Sequence, residues 1–87
     1  MYYVYLLQSR KFFRVYIGST GDLRKRFYEH NHGKVTSTKA YAPYNLIYYE
    51  AYVSRFDARK REIELKTKSQ QKEALLKRIE NSLKMLL

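Results

Sequence analysis

The 87-residue chain has no cysteine, no tryptophan, three glycines and a single proline. Without cysteine there is no disulfide framework, no thiolate zinc site and no thiol nucleophile, so a secreted scaffold held by cross-links is excluded and a reducing cytoplasm is the expected setting. Long hydrophobic runs are also missing. The apolar stretch near the start, Tyr2 to Leu7, falls far short of the ~20 residues of a spanning helix, and no charged segment precedes it, so neither a membrane span nor a targeting segment is expected. Scarce glycine and proline leave no low-complexity segment or linker, and no internal repeat is visible. The length is that of one small domain covering residues 1–87, in which a single core buries a little over ~60% of the surface of the unfolded chain.

Basic charge and tyrosine are in excess. Lys and Arg number 18 against 8 Asp and Glu, a net charge of +10, which points to a polyanionic partner: nucleic acid or an anionic membrane surface. Residues 1–52 carry 8 bases and 3 acids and residues 53–87 carry 10 and 5, so the charge is spread along the chain and no basic tail dominates. Ten of the 14 aromatic residues are tyrosine.

Periodicity predicts the elements. Residues 2–8 (YYVYLLQ) are β-branched and aromatic, and residues 13–19 (FRVYIGS) alternate Phe13, Val15 and Ile17 against Arg14, Tyr16 and Gly18; both read as strands. A hairpin centred between Arg10 and Lys11 would set Tyr5 opposite Tyr16. Thr20 is the candidate N-cap of a helix over 21–32, with Asp22 in the first turn and Gly33 as the stop. Leu23, Arg26, Phe27 and His30 share one face of that helix at i, i+3, i+4, i+7. Residues 34–42 read as a loop, Tyr44 to Val53 as a third strand, and Ser54 as the cap of a helix over 55–67. There the packed arc bounded by Leu65 and Ile63 contains Ala58, Arg59, Glu62 and Lys66, while Glu64 faces solvent. Ser69 is the candidate cap of a last helix with a stripe of Leu76, Ile79, Leu83 and Leu86.

Three features stand out from an ordinary α/β domain: Arg26 and His30 on an apolar helix face, Glu62 on another, and tyrosines in a hairpin. Each has an ordinary explanation. Tyrosine in a strand packs with a satisfied hydroxyl; an arginine stem snorkels to solvent; His30 suits a helix C-terminus; Glu62 is an i,i+4 partner of Lys66.

Their combination resembles the GIY-YIG nuclease family. The resemblance rests on Tyr3-Val4-Tyr5 as the first tripeptide, Tyr16-Ile17-Gly18 as the second, the run Ser19-Thr20-Gly21-Asp22-Leu23-Arg24-Lys25-Arg26, then Glu29-His30-Asn31, and later Ala58, Arg61-Glu62 and Leu65-Lys66. It spans Tyr2 to about Lys68 and is similar to the small stand-alone members. It implies an α/β (α+β) domain, a three-stranded antiparallel sheet flanked by helices in the order β-β-α-β-α-α. It also implies hydrolysis of phosphodiester bonds, with Tyr5, Tyr16, Arg26, His30 and Glu62 as catalytic residues and Glu62 holding a divalent metal, Mg²⁺ or Mn²⁺. One carboxylate, waters and a phosphate oxygen suit such a cation. Arg26 suits a phosphate gaining charge, His30 a proton relay or a phosphate contact, and either Tyr5 or Tyr16 would orient and deprotonate the attacking water.

Three departures accompany the match. Tyr3 stands where the family name has glycine, Ser19 where many members have lysine, and the family's late asparagine has no counterpart near Gln70, Gln71 and Lys72. They favour a rival reading, a weakly active or inactive nucleic-acid-binding module of the same fold. A third reading has the last helix joining two copies, giving a monomer or weak homodimer. Arg14, Lys34 and Lys39 are the candidate phosphate contacts. The expected partner is DNA, with RNA as the other nucleic acid; Tyr41 and Tyr44 are candidates for stacking on unpaired bases.

Overall fold

Side-chain alternation along β1 (Tyr2–Ser9) decides what each face of the sheet must be covered with. Val4 and Leu6 point one way and Tyr5 and Leu7 the other, and all four are buried, so helices are required on both faces. The computed structural model, which describes residues 1–84, supplies them. Its elements are β1, β2 (Val15–Thr20), α1 (Leu23–Asn31), a 3₁₀ turn at Lys39–Tyr41, β3 (Tyr44–Tyr52), α2 (Arg55–Thr67), α3 (Ser69–Arg78) and α4 (Glu80–Lys84). The sheet is antiparallel with order β2-β1-β3. On one face Val4, Leu6 and Ile17 pack against Ala58 and Leu65 of α2 and against Leu75 and Ile79. On the other, Tyr5, Leu7 and Tyr44 pack with Tyr16 and with Leu23 and Phe27 of α1.

The hairpin register differs from the one expected. Tyr5 pairs with Gly18, and Tyr16 pairs with Leu7. The connection is longer than a tight turn: Ser9 Oγ accepts from the backbone N–H groups of Lys11 and Phe12, and Phe13, 92% exposed, belongs to the loop and not to the strand. The offset is two residues, an even number, so Tyr5 and Tyr16 keep a common face as diagonal neighbours.

Two caps differ as well. Asp22, not Thr20, caps α1, accepting from Lys25 N, while Thr20 Oγ1 accepts from Asp22 N and tightens the turn before it. Lys68, not Ser69, is the N-cap of α3, and it makes no side-chain capping bond. Ser54 caps α2 as expected, accepting from Phe56 N and Asp57 N. Gly33, just past α1, has φ +68°, a conformation that costs glycine nothing.

The expected last helix is two, broken at Ile79, whose backbone leaves the helical region. Ile79 is buried and Leu76 and Leu83 pack against the same core, so among the described residues this stripe is spent inside the molecule; Leu86 lies outside them. In α2 the buried positions are Ala58, Glu62 and Leu65, while Ile63 is 46% exposed. Arg61 turns inward instead. Its guanidinium donates to both oxygens of Glu50, which also accept from the hydroxyls of Tyr48 and Tyr52, and this network fixes α2 against β3. Burial first and then the Glu50 carboxylate push both phenols up to about 12, so they stay donors.

Candidate active site

The aromatic face of the sheet is built around an absence of volume at Gly18. A Cβ there would lie 2.5 Å from Tyr5 Oη, 2.7 Å from Tyr5 Cζ and 3.0 Å from Tyr16 Cε2. Only glycine lets the Tyr5 ring lie flat across β2. From that position Tyr5 Oη reaches His30 Nε2 at 2.8 Å, and His30 Nδ1 reaches Thr38 Oγ1 at 2.8 Å. All three side chains are buried, His30 completely.

Protonation states follow from burial. Tyr5 is pushed up to about 12, chiefly by loss of solvent and further by Tyr16, with Arg26 pulling the other way. His30 is pushed down to about 4, first by burial and then by Arg26, against a weaker pull from Glu29. At neutral pH a phenol therefore donates to a neutral imidazole, which leaves the imidazole proton on Nδ1 to be given to Thr38. The Thr38 hydroxyl proton is directed at the Val35 carbonyl, 3.4 Å away. Thr38 is the orienting end of the chain, and nothing in the sequence marked it: it lies in a non-periodic loop eight residues past His30.

The neighbouring tyrosine is free. Tyr16 is half-buried, its ring centroid is 6.3 Å from that of Tyr5 and 5.0 Å from that of His30, and among the described residues its hydroxyl has no hydrogen-bond partner. Arg26, on the inward face of α1, is partly exposed and pairs loosely with Glu29 at 3.4 Å. Its guanidinium pulls Tyr5 down by hydrogen bonding and by charge, and pulls His30 down by charge.

Glu62 approaches from the α2 side of β2. Ser19 lies one residue beyond Gly18 and so faces the opposite way, and its hydroxyl donates to Glu62 Oε1 at 2.6 Å. Arg59 donates to the same oxygen at 2.7 Å and Lys66 Nζ to Oε2 at 2.7 Å. Burial alone would raise this carboxyl, but the bonds from Lys66, Ser19 and Arg59 outweigh it and hold Glu62 below the usual carboxylate range. Lys66 joins the two halves of the site, because its ammonium also sits 5.5 Å from the Tyr16 ring centroid. Its position was visible in sequence as the i,i+4 partner of Glu62; its reach to Tyr16 was not.

Tyr5, Tyr16, Arg26 and His30 thus meet on one face of the sheet, and Lys66 connects Glu62 to them. The three candidate phosphate contacts lie outside that group. Arg14 stacks on Tyr41 with its Cζ 4.1 Å from the ring centroid and donates to the Tyr41 hydroxyl. Lys34 lies 5.6 Å from the centre of Tyr28, and Lys39 begins the 3₁₀ turn. Neither stacking candidate offers an open ring. Tyr44 is 3% exposed with its hydroxyl on the Thr38 carbonyl, and Tyr41 is covered by Arg14 and by the edge contact of Phe12. Gln71, near the place of the missing asparagine, accepts from Arg61, while the side-chain donors to Glu62 are Ser19, Arg59 and Lys66.

No helix of the described residues is long and apolar enough to cross a membrane. Among curated proteins, a UPF0213 protein of Staphylococcus saprophyticus is 37% identical over 76 residues, covering 86% of this chain and 92% of that protein. UPF0213 proteins of Staphylococcus epidermidis and Staphylococcus aureus are 40% and 38% identical over 58 and 63 residues, covering 66% and 71% of this chain and 71% and 77% of theirs. No solved structure matches the chain. Residues 1–81, which hold every side chain of the site, match the GIY-YIG catalytic domain, and the chain belongs to that family of nuclease-type domains.

Proposed function

We propose that the protein is a divalent-metal-dependent endonuclease that hydrolyses DNA phosphodiester bonds, acting on branched or damaged DNA. One observation carries the reading: a partly exposed guanidinium and a tyrosine hydroxyl without a partner among the described residues share a face, and Lys66 links that face to an ionised carboxylate. Arg26 pairs with the scissile phosphate and stabilises the charge that builds on it, a role worth about 10²–10³ in rate for a single well-placed donor. Of the two tyrosines, Tyr16 orients the attacking water, because the Tyr5 hydroxyl is already committed to His30. Lys66 adds positive charge beside that water. Tyr5, His30 and Thr38 form the packed wall that holds Tyr16 in place, with His30 accepting the Tyr5 hydrogen bond and so fixing the Tyr5 ring.

Glu62 is the residue that would hold the metal. Its donor set fits a hard cation bound mainly by substrate and water: one ionised carboxylate, and no cluster of three His, Cys, Asp or Glu among the described residues. Arg59 and Lys66, both exposed in part, already answer its charge. When bound, Mg²⁺ or Mn²⁺ supplies Lewis-acid stabilisation of phosphate oxygen. The same crowding of Glu62 by three donors supports the rival reading, a binding module without catalysis.

The two separate on incubation with single-stranded, duplex and branched DNA, and with RNA, in Mg²⁺ or Mn²⁺. The nuclease reading expects cleavage that stops in EDTA and is lost in Glu62→Ala and Arg26→Ala. Binding of every substrate without cleavage establishes the module instead.

A further inference from the structure

The turn joining β2 to α1 is the meeting point of three surface cavities. One of about 340 Å³ contains Arg26 and shares Asp22 with a second, of about 480 Å³, on the far side of the α1 N-terminus. The third, of about 570 Å³, shares Gly21 with the second and Ser19 and Thr20 with the first. A strand passing Arg26 can therefore continue around the turn into the second cavity without leaving the surface.

Two of the three aromatic residues lining that second cavity, Tyr3 and Tyr49, lie outside the core clusters. Tyr3 and Tyr49 meet edge to face with centroids 5.8 Å apart, Phe27 and Leu46 form the apolar wall, and exposed Arg24 stands at the rim. Tyr49 is 54% exposed, neither Tyr3 nor Tyr49 belongs to either core cluster, and among the described residues neither hydroxyl has a hydrogen-bond partner. In a chain of net charge +10, an open aromatic slot with a guanidinium at its mouth matches a planar base attached to a phosphate.

From this we infer that the cleft between α1 and β3 seats one unpaired nucleobase, a neighbour on the same strand of the phosphodiester held at Arg26. The inference rests on the nuclease reading for the position of that phosphodiester. The base lies against Tyr49 and Tyr3, Phe27 covers its other edge, the free hydroxyls reach its polar edge, and Arg24 takes the adjoining phosphate. A base inside a duplex is stacked on both sides and cannot enter such a slot unless it is extruded. The cleft therefore makes an unpaired nucleotide beside the cut a requirement for tight binding.

The test is binding of the full chain to fluorescent oligonucleotides in EDTA, so that no strand is cut. The oligonucleotides are a blunt duplex, the same duplex with a short single-stranded flap, and a flap series with one abasic position moved along it. Tyr49→Ala is expected to weaken flap binding about five- to hundredfold and leave the blunt duplex unchanged. Tyr28→Ala, which removes an exposed tyrosine outside the cleft, is expected to leave the binding of both unchanged. One abasic position should reproduce the loss in the native chain and cost nothing further in Tyr49→Ala. Tyr49→Leu, which keeps the apolar area but not the ring, should fall with Tyr49→Ala.

Equal losses on duplex and flap, an abasic series with no sensitive position, or self-association that Tyr49→Ala abolishes would each overturn the cleft. Cleavage assays on the same oligonucleotides keep the two readings apart. A Tyr49 effect on binding with no cutting under any condition leaves the cleft standing and removes the nuclease, and cutting that ignores Tyr49 does the reverse.

Discussion

Replacing Gly18 with alanine tests whether the Tyr5 ring is where the site needs it. In an ordinary strand this change stabilises, since glycine gives up more chain entropy on folding, by roughly 0.5–1 kcal/mol. Here the new methyl would stand 2.5 Å from Tyr5 Oη and 2.7 Å from Tyr5 Cζ. The backbone cannot yield easily, because Ile17 is in the core on one side and Ser19 is bound to Glu62 on the other. The ring must move, and three costs follow: overpacking of about 1–3 kcal/mol, the lost Tyr5–His30 hydrogen bond at about 1 kcal/mol, and a buried imidazole nitrogen without a partner at about 1–3 kcal/mol. Since the ring can relieve some strain by breaking the bond, these do not add in full, and a loss of about 2–5 kcal/mol is expected. Urea unfolding followed by circular dichroism measures it. Tyr5→Phe in the Gly18→Ala background removes the closer atom and should cost less than the sum of the single changes. A Gly18→Ala protein as stable as the native chain, or more so, would refute the reasoning.

Further outcomes follow from the same geometry. Thr38→Val keeps the shape but takes away the partner of His30 Nδ1, and should cost about 1–3 kcal/mol in urea unfolding, with Thr38→Ser recovering most of it. His30 is held near 4 in the folded chain against 6.5 when unfolded. Between those values only the unfolded state binds the proton, so stability is full above 6.5 and falls as pH drops toward 4, by at most about 1.4 kcal/mol per unit. His30→Gln should flatten that part of a urea-midpoint profile, leaving the losses from Glu50 and Glu62, which lie below the ordinary carboxylate range and so act at lower pH. If Lys34 and Lys39 contact phosphates, replacing both with alanine should make the log–log salt dependence of duplex binding shallower by ~0.9 for each, and an unchanged slope would remove them from the interface.

How much of this was readable beforehand differs from element to element for physical reasons. The inward face of α1 follows from its 3.6-residue period, which groups Arg26 and His30 with Leu23 and Phe27. Glu62 was placed inward by the same rule. Register was not readable, because the turn chemistry of Ser9 to Arg14 carries no Gly-based hairpin signature, and two strands of mixed aromatic and apolar residues tolerate a slip of two without exchanging faces. The N-cap of α1 was ambiguous because Thr20 and Asp22 both make local bonds in one turn. Hydrophobicity makes Ile63 a boundary of the packed arc, whereas the Glu50 carboxylate on β3 draws Arg61 inward instead. Long-range partners had no signal: Thr38 meets His30 through a loop, and Lys66 meets Tyr16 across the edge of the sheet.

The central claim is that Tyr16, not Tyr5, handles the attacking water. Single-turnover cleavage of a saturating DNA substrate in Mg²⁺, measured for the native chain, Tyr16→Phe and Tyr5→Phe with binding followed in parallel, tests it most directly. The account predicts a fall of about 10²–10⁴ in the Tyr16→Phe rate with binding unchanged, and a smaller fall for Tyr5→Phe accompanied by lost stability. A Tyr16→Phe protein that cuts within a few-fold of the native rate, while Tyr5→Phe is folded and inactive, would contradict it.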